Sequence, residues 1–401
     1  MQSKYWLTYK IIVFYCFLSS ARACLTLGDN PMIDLALSAI GLIIVPPSAY
    51  QQSKQKICAA FFLGMAVMYT MLGGNLTGYI AQFVMVLIPI QIIFLDSEHQ
   101  INLFRTLSTW YAILLGISVL WWFLFLVGIP LPHISQKFSW QYNEYGFIQQ
   151  NYFFFRHTIN LSPYVLLEPL PRFNGFFLEP GHIGTVTSLF LFANNYNLKN
   201  KLNIIFLVVI IISFSAAAYV LTLLGYLLYR FSERLSKIVI PVIISIIGVI
   251  IISAYNDGNN PVNELIFGKI TREQGAVEGR FSAQTQMLWE QILSDGRIWL
   301  GVGAGAKVPQ SAGYKVFLIM NGILGAFLTI MAYWYIMLSN YSRKGFYMFA
   351  LLMVSFLQRC YCFWDAFLDP YILGMVYLQI NNQSEECSEN LNTESLIEKE
   401  S

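Results

Sequence analysis

The sequence predicts an all-α polytopic membrane protein with about twelve transmembrane helices and two long loops on one side. Three observations support this fold class. The 401 residues are 56% hydrophobic and only 11% charged, whereas a soluble domain is about a quarter charged. Runs of about 17 to 22 apolar residues recur, each long enough to cross a hydrocarbon core of about 30 Å. Lysine and arginine are concentrated in alternate short loops.

The apolar runs supply the predicted segments, with edges placed to within a few residues. They cover roughly residues 5–20, 32–50, 57–73, 76–95, 107–129, 182–195, 203–214, 217–230, 238–254, 314–338, 344–358 and 369–380. The first is interpreted as an uncleaved helix, although Ala21-Arg22-Ala23-Cys24 resembles a signal-peptide cleavage site. Ser213 and Ser215 predict a tight bend between the seventh and eighth segments.

The orientation follows from the basic residues of the short loops, which face the cytoplasm in most membrane proteins. One orientation places twelve of them inside and two outside. Residues 1–380 are therefore predicted to form a single membrane domain with both termini cytoplasmic. Long periplasmic loops cover about 130–181 and 255–313, and residues 381–401 form an acidic disordered tail.

Polar residues of the first long loop are concentrated in the twelve positions 171–182. Arg172 is a permanently charged planar donor suited to phosphate. Glu179 could accept a proton or orient Arg172, and His182 begins the next helix, where anions are favoured. The alternative is a re-entrant loop held together by an Arg172–Glu179 pair. Arg156, after an aromatic run predicted to lie at the membrane interface, is a further substrate-binding candidate.

The second long loop contains a predicted amphipathic helix that opens at Gly279-Arg280 and ends at Asp295-Gly296. Arg280 is a candidate phosphate ligand, the alternative being an exposed arginine at a helix start. Arg297 is a weaker candidate. Gly301 and Gly303 belong to a GxGxG string without the strand and helix of a nucleotide site. We interpret it as a bend that brings backbone close to a ligand or to another loop.

Other polar residues are weaker candidates for a functional site. Asp34 lies in a predicted segment, where an acid is a functional candidate by default. Asp365 and Asp369 flank the last outer turn and are acid/base candidates. No set of His, Cys, Asp and Glu has metal-ligand spacing, so neither a metal nor a cofactor is expected. The net charge of +2 indicates no nucleic-acid partner.

Both loops resemble the O-antigen polymerase and ligase superfamily of bacterial polysaccharide assembly. Arg172-Phe173-Asn174-Gly175 followed by Glu179-Pro180-Gly181 is similar to the family's Arg-x-x-Gly…Glu-Pro signature. The second loop is similar in Gly279-Arg280, Trp289 and Gly301-Val302-Gly303, and in Asn321 to Gly325, which opens the tenth helix. The resemblance covers about residues 170–330. Ligases carry a His-Asn pair before the helix that follows the large loop, and Ser311 to Lys315 contains no histidine, which favours the polymerase branch.

The resemblance implies a GT-C-like, metal-independent glycosyltransferase of the bacterial inner membrane. It would move a polysaccharide on undecaprenyl pyrophosphate onto a new lipid-linked repeat unit, within membrane lipid and beside a chain-length regulator, a polysaccharide co-polymerase. Arg172 and Arg280 would hold the pyrophosphate, while Glu179 or His182 would serve the acceptor. The alternatives are an O-antigen ligase and a transporter or flippase for lipid-linked sugar. A transporter would concentrate polar groups within its helices.

Overall fold

A computed structural model describes residues 2–21, 23, 31–72, 74, 80, 83–84, 86–137, 147–160, 171–231, 283–303, 313–358 and 363–381. Most of this part of the chain is helical. Its α-helices are α1 (Gln2–Ser20), α2 (Pro31–Ile44), α3 (Lys54–Thr70), α4 (Leu87–Phe94), α5 (Ser97–Leu126), α6 (Pro180–Ala193), α7 (Lys201–Ile212), α8 (Ala216–Phe231), α9 (Ala283–Ser294), α10 (Tyr314–Ser339), α11 (Arg343–Gln358) and α12 (365–381). Short 3-10 turns cover Pro47–Ala49 and Arg297–Trp299.

Local chemistry accounts for several helix ends. The side chains of Ser53, Asp96 and Asn200 cap α3, α5 and α7 by accepting backbone N–H groups in the first turn. Pro180 occupies the first position of α6, where its missing N–H costs nothing. Gly296 follows α9 in the left-handed conformation with φ 74°. The predicted end of this helix at Asp295-Gly296 is therefore confirmed.

The helices pack around an aromatic core. Tyr111 of α5 stacks on Phe190 of α6 with ring centroids 5.0 Å apart, and its hydroxyl lies 2.8 Å from Thr187 Oγ1. Phe17 of α1 meets Tyr111 edge-on at 5.4 Å, and Phe206 of α7 lies 5.7 Å from it. One buried ring thus ties four helices together. Such aromatic pairs contribute about 0.5–1.5 kcal/mol beyond area burial.

A three-stranded antiparallel sheet interrupts the helical fold within the first long loop. It consists of β1 (Ile134–Lys137), β2 (Phe147–Asn151) and β3 (Arg156–Asn160) in the order β1-β2-β3. Asn151 pairs with both Ile134 and Arg156 in the register. The all-α class was therefore right for the helices and missed this sheet, because the strands are short and polar and lie outside the apolar runs.

Two helices of the described residues are long and apolar enough to cross a membrane. They are α5, with 30 residues and a mean hydropathy of 1.9, and α10, with 26 residues and a mean hydropathy of 2.0. Length and composition alone qualify them, and a buried core helix of a soluble protein can meet the same criterion. They give a weak indication of membrane localisation.

Several predicted edges differ from the observed ones. Helix α2 stops at Ile44 because Pro46 and Pro47 follow it, and α5 begins ten residues before the predicted segment. Asn321 to Gly325 does not open the tenth helix: it lies within α10, whose regular conformation breaks at Gly322 (φ 62°, ψ −176°). The bend between α7 and α8 is confirmed, with Phe214 at φ 45°. The segment 238–254, Arg280 and most of the tail fall outside the described residues.

Candidate functional site

Three buried phenylalanines anchor the polar loop 171–182. Phe173, Phe176 and Phe177 are each 0% exposed. Phe173 packs edge-on against Trp122 of α5 with ring centroids 5.7 Å apart. Phe176 and Phe177 stack on each other at 4.9 Å and both meet Tyr111 edge-on. The polar residues of this loop are therefore carried on a backbone fixed in the aromatic core.

The turn of the loop depends on Gly175. Its φ of +52° lies in the left-handed region, and a Cβ there would lie 2.6 Å from Ile183 Cδ1. Its carbonyl accepts a hydrogen bond from the backbone N–H of Arg156 at 2.8 Å, and Phe173 N–H donates to Ile212 O at 3.2 Å. The loop is thus tied to the start of β3 and to the end of α7.

Arg172, Glu179 and His182 occupy distinct places along this fixed loop. Arg172 precedes the first anchor and is partly exposed. Glu179 is the partly exposed N-cap residue of α6, with extended backbone (φ −141°, ψ 150°). His182 lies in the first turn of α6, 3% exposed, with its ring edge-on to Trp364 at 5.3 Å. The N-terminus of α6 carries positive partial charge, which favours an anion here.

Arg156, the candidate from the preceding part of the first long loop, lies next to the loop 171–182 because its backbone N–H bonds Gly175 O. The turn Tyr152–Phe155 packs on the end of α5, where Ser118 Oγ donates to Phe154 O at 2.6 Å. Tyr152 and Phe155 stack with ring centroids 4.6 Å apart, and both are buried. Arg156 follows, 7% exposed, and its Nη1 donates to Gln149 Oε1 at 3.4 Å. The aromatic run therefore supports the start of β3, whose Arg156 bonds the loop 171–182 through its backbone N–H and Gln149 through its guanidinium.

Arg297 belongs to a different part of the molecule. It is exposed, and its Nη2 lies 2.6 Å from Asp295 Oδ2 in an ion pair. Hydrogen bonds from Arg297 hold the pKa of Asp295 below its usual value, and the same pair raises the pKa of Arg297. The pair fixes the turn after α9, so within the structure Arg297 has a local partner of its own.

Gly301 and Gly303 contact the break in α10. Val302 N–H donates to Ile319 O at 2.8 Å, and Gly303 N–H donates to Met320 O at 2.9 Å. A Cβ on Gly301 would lie 2.4 Å from Met320 O. The GxGxG string therefore packs backbone against backbone. The close backbone approach that was expected with a ligand or another loop is made with the helix α10. Contact of these glycines with substrate stays a prediction.

Lys315 is a buried lysine that was not among the predicted site residues. It is 7% exposed at the start of α10. Its Nζ donates to Gln286 Oε1 at 3.1 Å and lies 5.9 Å from the centre of the Trp289 ring. It fixes α9 to α10. The spacing of Gln286 and Trp289, one turn apart on α9, was the available sequence signal for a shared partner.

The acid candidates gather in a buried cluster between α1, α2 and α12. Asp369 is 0% exposed, Asp365 is 4% exposed and Asp34 is 9% exposed. Ser19 Oγ donates to Asp34 Oδ2 at 3.2 Å. Among the described residues neither oxygen of Asp369 meets a hydrogen-bond donor. Asp365 follows Trp364, whose ring contacts His182, so the cluster lies next to the loop site.

The site therefore combines the guanidinium of Arg172, the carboxylate of Glu179 and the imidazole of His182 on one loop, with Arg156 on the adjoining strand β3. Such a set can bind a polyanion and accept a proton. No group of three or more His, Cys, Asp and Glu within the described ranges could hold a metal ion. Arg280, Gly279 and the residues around them lie outside these ranges, so the role of Arg280 stays a prediction from sequence.

No protein-family model, curated protein or solved structure matches this chain.

Proposed function

We propose that this chain is a membrane polysaccharide polymerase, a glycosyltransferase acting on repeat units linked to undecaprenyl pyrophosphate. The observation that carries the proposal is the loop 171–182, which holds Arg172, Glu179 and His182 on buried phenylalanines and receives Arg156 by a backbone hydrogen bond. The order of motifs in the two long loops supports the same function through the resemblance to O-antigen polymerases.

Apolar surface supports the membrane location. Six large apolar side chains on α3 and α5 are each at least 50% exposed: Ile57, Phe61, Met68, Ile113, Leu120 and Phe123. Large exposed apolar surfaces mark contact with lipid or another protein. We infer that these stripes face lipid. The proposal includes about twelve transmembrane segments, a GT-C-like architecture, cytoplasmic termini and periplasmic loops in the bacterial inner membrane.

The proposed reaction transfers a glycosyl chain and releases undecaprenyl pyrophosphate. The acceptor hydroxyl attacks the anomeric carbon, the bond from that carbon to the pyrophosphate oxygen breaks, and negative charge grows on the pyrophosphate. Arg172 and Arg156 stabilise this charge from fixed positions, with Arg280 added from the sequence motif. A base accepts the hydroxyl proton.

Glu179 is better placed than His182 to be that base. Its side chain is partly exposed on the loop, whereas His182 is buried against Trp364. A base must come within hydrogen-bond reach of the acceptor hydroxyl. We infer that His182 holds the loop in place through its contact with Trp364, and that Glu179 accepts the proton of the acceptor hydroxyl.

A ligase or a lipid-linked sugar transporter would use a different arrangement. A ligase would require the histidine that the stretch 311–315 lacks. The buried cluster of Asp34, Asp365 and Asp369 is the feature that favours a transporter, since transporters place polar groups within their helices.

The test compares surface polysaccharide from a deletion strain with that from strains expressing wild type, Arg172→Ala, Arg172→Lys or Arg343→Ala. The deletion should leave lipid A core carrying one repeat unit. Both Arg172 variants should lose long chains at normal protein level, since removing one charge-stabilising donor costs about 10²–10³-fold in rate. Arg343 is exposed and bonds Tyr347, so its variant serves as the matched control.

Other outcomes would contradict the proposal in distinguishable ways. Long polymer left on undecaprenyl pyrophosphate with a bare core would indicate a ligase. Single repeat units retained on the cytoplasmic face would indicate a flippase. Normal chain lengths in Arg172→Ala would remove Arg172 from the mechanism.

A further inference from the structure

Helices α8 and α11 pack against each other, and basic and tyrosine side chains gather where α8 ends and α11 begins. Arg230 lies in the last turn of α8, and Lys344 lies in the first turn of α11. The Arg230 guanidinium lies 5.9 Å from the centre of the Tyr229 ring, and Lys344 Nζ lies 5.0 Å from the same centre. Two helices thus bring two cations to one aromatic ring.

The protein itself holds these cations in place. Arg230 Nε donates to the Tyr226 hydroxyl at 3.1 Å, and the guanidinium lies 5.4 Å from the centre of the Tyr226 ring. The Tyr196 ring lies 5.5 Å from that of Tyr226 and 6.0 Å from that of Tyr229. Lys344 is only 4% exposed. An anion between the two cations would be stabilised by both of them, and little side-chain freedom would be lost on binding.

The surrounding sequence carries the same sign of charge. Residues 194–238 and 340–358 together contain seven basic residues and one acidic residue, Glu233. Tyrosine is enriched where helices pass from hydrocarbon to head groups, and basic pockets between helices bind anionic lipid head groups. The group of Arg230, Lys344 and Tyr229, which we call the Tyr229 cluster, therefore has the chemistry of a phosphate site at a membrane surface.

An apolar stripe leads along α8 to the Tyr229 cluster. Val220, Leu223, Leu227 and Arg230 follow one another at intervals of three and four, so they share one face of the helix. Val220 is 53% exposed and Leu223 is 40% exposed. In a membrane such a stripe contacts hydrocarbon while the cation reaches the level of the head groups. An amphiphile with acyl chains and an anionic head fits this order, whereas a free phosphate would leave the stripe unused.

We propose that the Tyr229 cluster binds the phosphate of an anionic phospholipid whose acyl chains lie along this stripe of α8. The inference goes beyond glycosyl transfer and rests only on the proposed membrane location. Tyr196 follows the C-terminal end of α6, whereas the loop 171–182 leads into its N-terminal end, so the two sites lie at opposite ends of that helix. The bound lipid would bridge α8 and α11 on the side proposed to face the cytoplasm.

The test compares wild type, Arg230→Gln, Lys344→Gln and Arg343→Gln as purified full-length proteins in detergent. Native mass spectrometry measures the binding of phosphatidylglycerol and of phosphatidylcholine with the same acyl chains. Arg343 is the matched control, because it carries the same charge next to Lys344 but is exposed and bonds Tyr347. Melting temperatures check that each variant folds. Arg230 is partly exposed, so its variant decides the test if the buried position 344 tolerates no change.

Wild type should bind phosphatidylglycerol more tightly than phosphatidylcholine. Arg230→Gln and Lys344→Gln should each weaken phosphatidylglycerol binding about fivefold, while Arg343→Gln matches wild type. Phosphatidylcholine should bind alike to all four proteins. Equal affinity of wild type for the two lipids, or unchanged phosphatidylglycerol binding by Arg230→Gln, would overturn the inference.

Two further outcomes would also overturn it. The same loss in Arg343→Gln as in Arg230→Gln would show diffuse attraction to a basic surface rather than a site. Glycerol phosphate bound as tightly as phosphatidylglycerol would show that the acyl chains contribute nothing, and that the cluster takes a free phosphate.

A polymerisation assay on the same proteins separates this inference from the proposed function. Phosphatidylglycerol binding that depends on Arg230, without polymer formation by wild type, would refute the polymerase and leave the lipid site standing. Polymer formation together with lipid binding that is indifferent to Arg230 would refute the lipid site alone.

Discussion

Arg172, Arg156 and Arg297 carry the same charge in three different surroundings. Arg172 is partly exposed on a rigid loop, Arg156 is 7% exposed and meets Gln149, and Arg297 is exposed and paired with Asp295. An exposed pair such as Arg297–Asp295 contributes little to stability. An arginine fixed in a poorly solvated place interacts strongly with an anion. Arg297 is therefore the weakest of the three candidates, since Asp295 already pairs with it, and Arg156 is the one held in a poorly solvated place.

Glu179→Gln should lower the polymerisation rate about 10²–10⁴-fold, as expected for loss of a general base. The amide keeps the shape of the side chain but cannot accept the proton. His182→Gln should cost about tenfold or less, because the ring packs on Trp364 and acts through position. Single-turnover rates with a lipid-linked repeat unit measure both. The opposite ranking would identify His182 as the base.

Lys56 gives a pH dependence of stability. It is 4% exposed in the first turn of α3, and its Nζ donates to Leu95 O at 2.6 Å. Burial lowers the pKa of Lys56 to about 8, with Asp96 opposing the shift. Between that value and the ordinary 10.5, the unfolded chain binds more protons, so the stability of the folded state rises with pH.

Lys56→Met lacks this titration. As the pH increases from about 8 to 10, the free energy of unfolding of wild type should therefore rise relative to that of Lys56→Met by on the order of 1–3 kcal/mol. The difference between their melting temperatures should shift in the same direction. Thermal melts in detergent across this range measure it. A constant difference between the two proteins would show that Lys56 keeps an ordinary pKa.

At the scale of elements, the break in α10 determines how the second loop is attached. Gly322 leaves the helical conformation, and the carbonyls of Ile319 and Met320 accept hydrogen bonds from the segment 302–303. Tyr69 of α3 donates to Leu300 O at 2.9 Å. The loop after α9 is thus held by α3 and α10 together, and its glycines are required because the two backbones touch.

Gly301→Ala should destabilise the protein more than Gly296→Ala does. Both glycines lie in the left-handed region, at φ +75° and +74°, but a Cβ at position 301 meets backbone atoms, whereas nothing lies within 4 Å of one at position 296. Gly296→Ala, the control, should lower the free energy of unfolding by roughly 1 kcal/mol, the backbone cost of a left-handed alanine. In Gly301→Ala the clash of the new Cβ with backbone atoms should add about 1–3 kcal/mol to that loss. Melting temperatures of both variants test this, and equal values would show that the close approach relaxes freely.

At the scale of the whole molecule, two helices long and apolar enough to cross a membrane, together with the apolar side chains exposed on α3 and α5, give a weak indication of a membrane location. The loop 171–182 is bonded to the end of α7 through Phe173 N–H, whereas the segment 297–303 is bonded to the break within α10. Orientation in the membrane then decides which compartment supplies the substrate.

Cysteine labelling tests that orientation. In a background without the native cysteines, Trp299→Cys should react with a membrane-impermeant maleimide in spheroplasts, because Trp299 is 64% exposed on the proposed periplasmic side. Lys199→Cys, in an exposed turn on the proposed cytoplasmic side, should react only after lysis. The reverse pattern would invert the topology and exclude a periplasmic polymerase.

Features that depend on local composition could be predicted from the sequence. Apolar runs placed most helices, Asp295-Gly296 marked the end of α9, and Ser213 and Ser215 marked the bend after α7. The density of polar residues singled out 171–182, with His182 in the first turn of α6. Each of these depends on neighbours within a few positions, which periodicity and capping rules can detect.

Only the tertiary structure brought Arg156 to Gly175, seated the glycine string on the break in α10 and gathered Asp34, Asp365 and Asp369 into one buried cluster. It also revealed the three-stranded sheet. These features join residues tens to hundreds of positions apart. Their existence depends on how the helices pack, which the pattern of any one segment does not specify.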